Sequence, residues 1–409
     1  MPRRRVLEGL AATGAAMTGT AAGARTAVSS STAWDVIVIG AGVFGSWTAW
    51  TLRRAGHKVL LLDAWGAAHN RASSGGETRL IRTEYAGNVL YTRWAWASLA
   101  EWQALSKRHE SPIFHPTGAL YLYPQDSAAI DRSIAIQRGL DIPIEKMTTA
   151  AMARRWPQID FGGIAVGVMQ PTMGALMARR SVQTLVGEFT AAGGSFRPFA
   201  VDPPRSDAAS LGSITGSGGK TLRAGRFVFA CGPWLPKLFP EVIGDRIVPS
   251  RQDVFFFAPA AGDARFAAAN LPAWVDVSSP DLHYGFPDIE ARGFKIALDA
   301  HGPRYDPDSG ERRVSDRGLA DVRAYLARRF PALARCPLAE ARVCQYENSD
   351  NGHFLIDRHP RWDDCWIVGG GSGHGFKHGP AVGRYIADRL LGIGEPEPAF
   401  ALAAHRIHG

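Results

Sequence analysis

With 409 residues, 46% of them hydrophobic and 21% charged, the chain can bury a large core and reads as globular, which excludes an intrinsically disordered protein. The formal charge of +8 comes from basic residues scattered among acidic ones, with no Lys/Arg run interleaved with aromatics, so no nucleic-acid partner is expected. No segment offers 18 uncharged apolar residues in a row, which argues against stable membrane insertion.

The N-terminus, MPRRRVLEGLAATGAAMTGTAAGARTA, runs from an arginine cluster through a weakly apolar stretch to the small-residue site Ala22-Gly23-Ala24, the layout of an export signal over residues 1–24. Arg3-Arg4-Arg5-Val6-Leu7 resembles the twin-arginine motif, whose machinery exports folded proteins, although Glu8 stands where a lysine is usual. The expected location is periplasmic or secreted, or cytoplasmic if the signal does not operate.

WDVIVIGAGVFGSWTAWTLRRAGHKVLLLDAWG then predicts a strand at 35–39, a glycine turn, a helix to about Ala55 closed by Gly56, and a second strand ending at Asp63. Residues 94–106 have helical spacing, with Leu99 and Trp102 on one face, and the tryptophans read as core. Residues 226–234, RFVFACGPW, form a buried strand running into a turn. In SDRGLADVRAYLARRFP, Ser315 is the expected cap, Leu319, Val322, Leu326 and Phe330 share a face, and Pro331 is the expected stop. CWIVGGGSGHGFKHGPAVGRYIADRL reads as strand, glycine-rich loop, helix.

Gly40-Ala41-Gly42-Val43-Phe44-Gly45 places glycines where the backbone must turn sharply, approach a pyrophosphate and let helix pack on strand. The helix start then turns unpaired N–H groups toward the phosphates, and Asp63 is placed to accept from a ribose diol. This spacing does not choose between NAD and FAD. A flavin is suggested by the second glycine-rich loop, Gly369 to Gly375, whose N–H groups can face the flavin C2 carbonyl. The four cysteines, Cys231, Cys336, Cys344 and Cys365, show no metal-ligand spacing, so no metal is expected, and Cys336 with Cys344 is a candidate pair. Only seven lysines occur, and two, Lys295 and Lys377, lie inside apolar or glycine-rich segments, which is unusual for a residue normally left in water.

The ordered motifs DVIVIGAGVFG, SSGGETRLIR (73–82), HYGFP (283–287), GFKIALDAHG (293–302), ARVCQYENSDNGHFLID (341–357) and GSGHGFKHGPAVG (371–383) resemble the monomeric sarcosine oxidase and N-methyltryptophan oxidase family, among the D-amino-acid-oxidase-like flavoenzymes. The resemblance implies an α/β fold in which a Rossmann-like FAD-binding domain (34–114, 179–248 and 341–400) interleaves with a mixed-sheet, α+β substrate domain (115–178 and 249–340). It implies a single-subunit oxidase of a secondary amino acid that forms an imine and reduces O2 to H2O2. An exported amine or amino-acid dehydrogenase passing electrons to a quinone or protein is the alternative.

By the same resemblance FAD is bound covalently through Cys344. Lys295 matches the lysine that promotes reaction with oxygen, and Arg79 an arginine beside the flavin ring. Arg82 and Lys377 match the pair that holds the substrate carboxylate, a guanidinium fork plus a point charge. Tyr284 and Tyr346 fall at pocket walls, His353 and Asp357 on the strand after the cysteine, and Thr78 is expected to order the loop that carries Arg79 and Arg82. Gly40, Gly42, Val43, Phe44, Gly45, Asp63, Thr78, Arg79, Cys344, Gly371, Gly373, Gly375 and Lys377 are the expected cofactor contacts. Two positions depart from the pattern: Gly75 and Asp299 each replace a histidine. Loss of an imidazole at Gly75 is expected to open space, and Asp299 to disfavour a second substrate carboxylate and accept a polar or cationic group. Both point to an N-substituted amino acid larger than sarcosine.

Overall fold

Strands apolar on both faces need cover on both sides. In the computed structural model, which describes residues 34–278 and 282–406, the strands Trp34–Ile39 and Val59–Asp63 lie inside a seven-stranded sheet. Trp34–Ile39 pairs in parallel with Val59–Asp63 and with Lys220–Phe229. Ser195–Pro198 extends one side in parallel; Cys365–Gly369, also parallel, and then antiparallel Leu355–Arg358 extend the other. The export-signal segment lies outside the described residues.

The helix Val43–Arg54 starts at Gly42 and gives way to Gly56, whose φ of +92° suits a residue without Cβ. It packs against Ala178–Ala191 and Gly379–Leu390. The helix expected at 94–106 runs over Val89–Lys107 instead, because the Asn88 side chain accepts from Tyr91 N and starts it a turn earlier. Trp102 is core, 5.1 Å from the Trp47 ring, and its Nε1 donates to Lys377 O at 2.8 Å, so this helix also fixes a site lysine.

A second, eight-stranded sheet runs in the order Leu338–Ser349, Ile247–Phe257, Phe294–Leu298, His283–Phe286, Ala273–Asp276, Ala119–Tyr123, Val166–Gln170, Glu145–Thr148. Leu338–Ser349 and Ile247–Phe257 pair antiparallel along their length, with one register shift at Phe256/Phe257, so the boundaries at 248/249 and 340/341 fall just inside the starts of these two strands. Thr78–Ile81, Gly174–Met177 and Phe114–His115 make a third sheet. The helix Asp316–Arg329 is capped by Ser315, which accepts from Gly318 N at 3.0 Å, and buries Val322 and Leu326. It also buries an ion pair, Arg329 Nε to Asp276 Oδ2 at 2.9 Å, with Tyr325 donating to the same oxygen at 2.7 Å.

Among the described residues no helix is long and apolar enough to cross a membrane, and no three His, Cys, Asp or Glu side chains are grouped so as to hold a metal ion. All four cysteines are free. Cys336 is therefore not paired with Cys344: its Sγ turns to Ala332 O, whereas that of Cys344 faces Ser73 and Arg79.

Candidate active site

The phosphate turn is closed by steric contacts that only glycine permits. A Cβ at Gly40, where φ is +102°, would lie 2.3 Å from Ala230 O, and one at Gly45 would lie 1.9 Å from Gly40 O. Asp63, at the end of its strand, braces the turn: Oδ2 accepts from Ala41 N at 2.9 Å, and Oδ1 from Trp65 N and Gly66 N at 2.9 and 3.0 Å. A carboxylate oxygen has two lone pairs, so Oδ2 retains one for a ribose hydroxyl. Ser74 Oγ accepts from Val43 N at 3.1 Å and ties the following loop to the helix start. Gly40, Gly42, Val43, Phe44 and Asp63 line a cavity of about 320 Å3 with Trp65 and Trp234 at its walls.

Cys344 lies on the long edge strand of the second sheet, and its Sγ receives a hydrogen bond from Arg79 Nη2 at 3.5 Å. Arg79 Nη1 also donates to Thr78 O at 2.8 Å. The same carbonyl accepts from Lys295 Nζ at 2.8 Å, and Thr78 Oγ1 lies 3.1 Å from that ammonium. Lys295 is only 3% exposed and sits 4.8 Å from the Phe286 ring. Burial, and after it the charge of Arg79, holds its ammonium well below the usual lysine range.

Arg79, Arg82, Tyr284, Lys295, Asp299, Cys344, Tyr346, Gly373 and Lys377 share one cavity of about 420 Å3. Arg82 lies over the Tyr85 ring at 4.3 Å, donates to Glu84 O, and keeps further donors for the cavity. Lys377 Nζ donates to Tyr85 Oη at 3.0 Å and to His374 O at 2.7 Å. It too is 3% exposed and held well below the usual range, by burial first and then by Arg82. Tyr346 Oη donates to Asp299 Oδ1 at 2.8 Å. Burial and the Asp299 charge push the Tyr284 phenol up to about 12, so it stays a hydroxyl. A narrow crevice of about 20 Å3 shares Ala72 with the nucleotide cavity, and Arg79, Lys295 and Cys344 with the larger one, so the three form a chain of spaces.

Of the second glycine loop, Gly371 faces the Glu347 carboxyl and Gly373 faces Tyr346, whose Cε2 would be 2.7 Å from an added Cβ. Gly375 packs under Phe44, linking this loop to the phosphate turn. His353 lies outside the cavity, stacked 5.6 Å from the Tyr91 ring, and Asp357 accepts from Leu402 N at 2.8 Å; both are structural.

The expected opening at Gly75 is not there. A Cβ at Gly75 would lie 2.1 Å from His69 O, so the loop has closed over the space a side chain would need. The Gly75 carbonyl is itself taken, accepting from Arg179 Nε at 3.1 Å and Arg342 Nη2 at 3.3 Å.

Sequence reasoning missed three groups. Glu84 lines the cavity, but its carboxylate is held by Ser133 Oγ at 2.8 Å, Gln137 Nε2 at 2.9 Å and Ala86 N at 2.9 Å, which fixes the loop bearing Arg82 and Tyr85. Tyr85 Oη is 2.5 Å from His378 Nε2 and connects Lys377 to that buried imidazole. Glu347 stands on the far side of the cysteine strand. Position one residue after Lys377 was a local signal for His378; Glu84 had none, because its side-chain partners lie 49 and 53 residues away.

The family described as FAD dependent oxidoreductase (DAO) matches residues 35–389. The chain belongs to the DAO family. N-methyl-L-tryptophan oxidase of Yersinia pestis (strain Pestoides F) is 30% identical over 385 residues, covering 91% of this chain and all of that protein. Monomeric sarcosine oxidase of Bacillus sp. (strain NS-129) is 28% identical over 375 residues, covering 90% and 95%. L-proline dehydrogenase from P. horikoshii shares the fold, with a TM-score of 0.79 over 91% of this chain and 97% of that one at 19% identity.

This DAO-family chain is thus an FAD-dependent oxidoreductase with a mixed α/β fold. Its residues fit the cofactor: the glycine cradle at Gly40 and Gly45, the spare lone pair on Asp63, and the chain of cavities from Asp63 to Cys344 match a long dinucleotide. Gly42, Val43 and Asp63 would hold the adenosine diphosphate half, and Thr78, Arg79 and Cys344 would lie along the flavin half.

Proposed function

We propose that this protein is an oxidase of a secondary, N-substituted amino acid, with dioxygen as electron acceptor and hydrogen peroxide as product. The observation that carries this reading is the meeting of Arg82, Lys377, Lys295 and Cys344 on one cavity. When bound, FAD supplies the two-electron acceptor for the C–H bond beside nitrogen.

The chain's own residues bind and orient. The Arg82 fork takes two carboxylate oxygens and Lys377 adds a second, nondirectional charge. Arg82 and Lys377 disfavour an ammonium beside the carboxylate they hold, so the α-amine enters as the reactive neutral form, whereas a group farther out on the substituent can meet Asp299. Tyr284 and Tyr346 wall the cavity. Asp299 sets the preference for a substituent with a polar or cationic group and supports a substrate larger than sarcosine. Lys295 favours electron transfer to oxygen by stabilising the negative charge that arises there. Cys344 serves as the covalent tether of the flavin. Export through residues 1–24, action as a single subunit, and the division of labour between segments 34–114, 179–248 and 341–400 on one side and 115–178 and 249–340 on the other belong to the same proposal.

The test is anaerobic mixing of the purified protein with a panel of N-substituted amino acids, followed by air. The expected result is bleaching of the flavin by at least one of them, then recovery of its colour with one peroxide per amine consumed. If no amine bleaches the flavin the substrate class is wrong; if bleached flavin persists in air, oxygen is not the acceptor.

A further inference from the structure

Strand Leu338–Ser349 turns Cys344 and Tyr346 toward the substrate cavity, and alternation along the strand sends Glu347 to the opposite face. There Glu347 lines the nucleotide cavity with Gly40, Gly42, Cys231 and Gly232. It is 9% exposed, and its Oε2 has no hydrogen-bond partner among the described residues. Three glycines crowd it: a Cβ at Gly232 or Gly369 would come within 3.4 Å of Oε2, and one at Gly371 within 2.9 Å of Oε1. Gly232 follows the end of strand Lys220–Phe229 and Gly369 ends Cys365–Gly369, the parallel neighbours on one side of the strand that leads into the phosphate turn. The carboxyl thus stands over the C-terminal ends of parallel strands, where open α/β sheets bind their ligands, and between the two glycine loops.

We infer that Glu347 is a cofactor-binding residue that donates a hydrogen bond from its carboxyl to an oxygen of the FAD's ribityl chain, next to the diphosphate. A buried polar atom without a partner is costly, and a ligand that supplies the partner removes the cost. A carboxylate beside two phosphates would repel them, whereas a neutral acid donates. Burial pushes this carboxyl up to about 8, opposed only by the Gly371 N–H, so at neutral pH it is mostly the acid. The other titratable groups on this cavity are Cys231, Asp63, His69, Lys237 and Asp308. Cys231 stays a thiol, raised by burial and by Asp63 and Glu347, and Lys237 is paired with Asp306 at 2.7 Å and with Asp308. His69, lowered by burial, carries little charge near neutrality. The inference rests on FAD dependence and is independent of the substrate.

The test uses the Cys344→Ser protein, in which FAD can exchange, freed of flavin and titrated calorimetrically with FAD and separately with ADP. Adding Glu347→Ala should weaken FAD by about tenfold or more and leave ADP within about twofold, while Glu347→Gln, which still donates, stays within about threefold for FAD. With Glu347 intact, FAD should weaken about tenfold between about pH 7 and about pH 9, as the binding-competent acid is lost, and Glu347→Gln should abolish that slope. Unchanged FAD affinity in Glu347→Ala, or equal losses for FAD and ADP, would overturn the inference. So would identical pH profiles for Glu347 and Glu347→Gln, which decide the matter even if the alanine variant does not fold.

Discussion

Arg79 Nη2 lies 3.5 Å from the Cys344 sulfur, across 265 residues of sequence. A guanidinium hydrogen aimed at sulfur complements the negative charge that sulfur carries when it acts as a nucleophile. Cys344→Ser should therefore yield a protein whose FAD is lost on acid denaturation, and Arg79→Ala should slow attachment by about tenfold or more. The readout is the yellow colour that stays with precipitated protein over time after FAD is added to apoprotein. Retention of covalent flavin in Cys344→Ser rules out this tether.

Lys295 makes its hydrogen bonds to Thr78 and lies against the rings of Phe256 and Phe286, with Arg79 and Cys344 nearby. A cation ~4 Å from a developing negative charge is worth about 4 kcal/mol at an effective dielectric near 20, before desolvation is subtracted. Lys295→Met should slow reoxidation of the reduced enzyme by air about a hundredfold while leaving anaerobic bleaching by substrate much less affected. Because the charged form is the active one and burial lowers its pKa, the wild-type reoxidation rate should fall as pH rises through that lowered value. Stopped-flow mixing with oxygenated buffer measures both; equal slowing of the two half-reactions would make Lys295 a structural residue.

The phosphate turn was legible because its signature, Gly40 to Asp63, is local: strand, glycines, helix and acid follow one another in the chain. The gathering of Arg79, Arg82, Tyr284, Lys295, Asp299 and Lys377 was legible only through the order of motifs, since no spacing rule links residues so far apart. What escaped is long-range in another sense. Nothing near Glu84 in the chain marks it; Ser133 and Gln137 on a distant helix hold it. Gly75 suggested open space, but a missing side chain leaves a hole only if the backbone does not move in, and here His69 O fills it. Glu347 belongs to the nucleotide cavity by strand alternation, whereas its neighbours Cys344 and Tyr346 belong to the other.

The two buried lysines also leave a signature in stability. Each holds its proton less tightly in the folded apoprotein than in the unfolded chain, so unfolding takes up protons between the lowered folded pKa and the unfolded value near ~10.4. Their contribution to stability therefore rises with pH over that window, while Glu347, raised to about 8, works the other way below that pH. Lys295→Met and Lys377→Met should each reduce the upward slope of the apoprotein's melting temperature against pH relative to wild type. Parallel profiles for wild type and both variants would mean that neither ammonium is destabilised by burial.

The Asp276–Arg329 pair is closed off from solvent and shares an oxygen with the Tyr325 hydroxyl. Removing one partner of such a pair strands the other charge, so Asp276→Ala should cost about 3–5 kcal/mol in chemical denaturation. The double change Asp276→Leu with Arg329→Met should recover most of that loss, since no charge is left without its counterpart. Both variants keep the cavity residues, so whatever folds should bind FAD normally. A loss in Asp276→Ala below about 1 kcal/mol would mean that water reaches the pair.

Asp299 accepts from Tyr346 through Oδ1, and its charge faces the same cavity as Arg82 and Lys377. A second carboxylate on the substrate would meet it, and two like charges about 6 Å apart at an effective dielectric near 20 repel by roughly 3 kcal/mol before screening. Wild type should thus prefer N-methylglutamine to N-methylglutamate, which match in size and differ in charge. Asp299→Asn keeps the acceptor for Tyr346 and removes the charge, so the ratio of kcat/KM for the two should narrow by about tenfold or more. The split between KM and kcat adds a second reading: repulsion felt equally by bound substrate and transition state moves KM alone. An unchanged ratio in Asp299→Asn would place the side chain of the substrate away from Asp299 and leave that carboxylate as a brace for Tyr346.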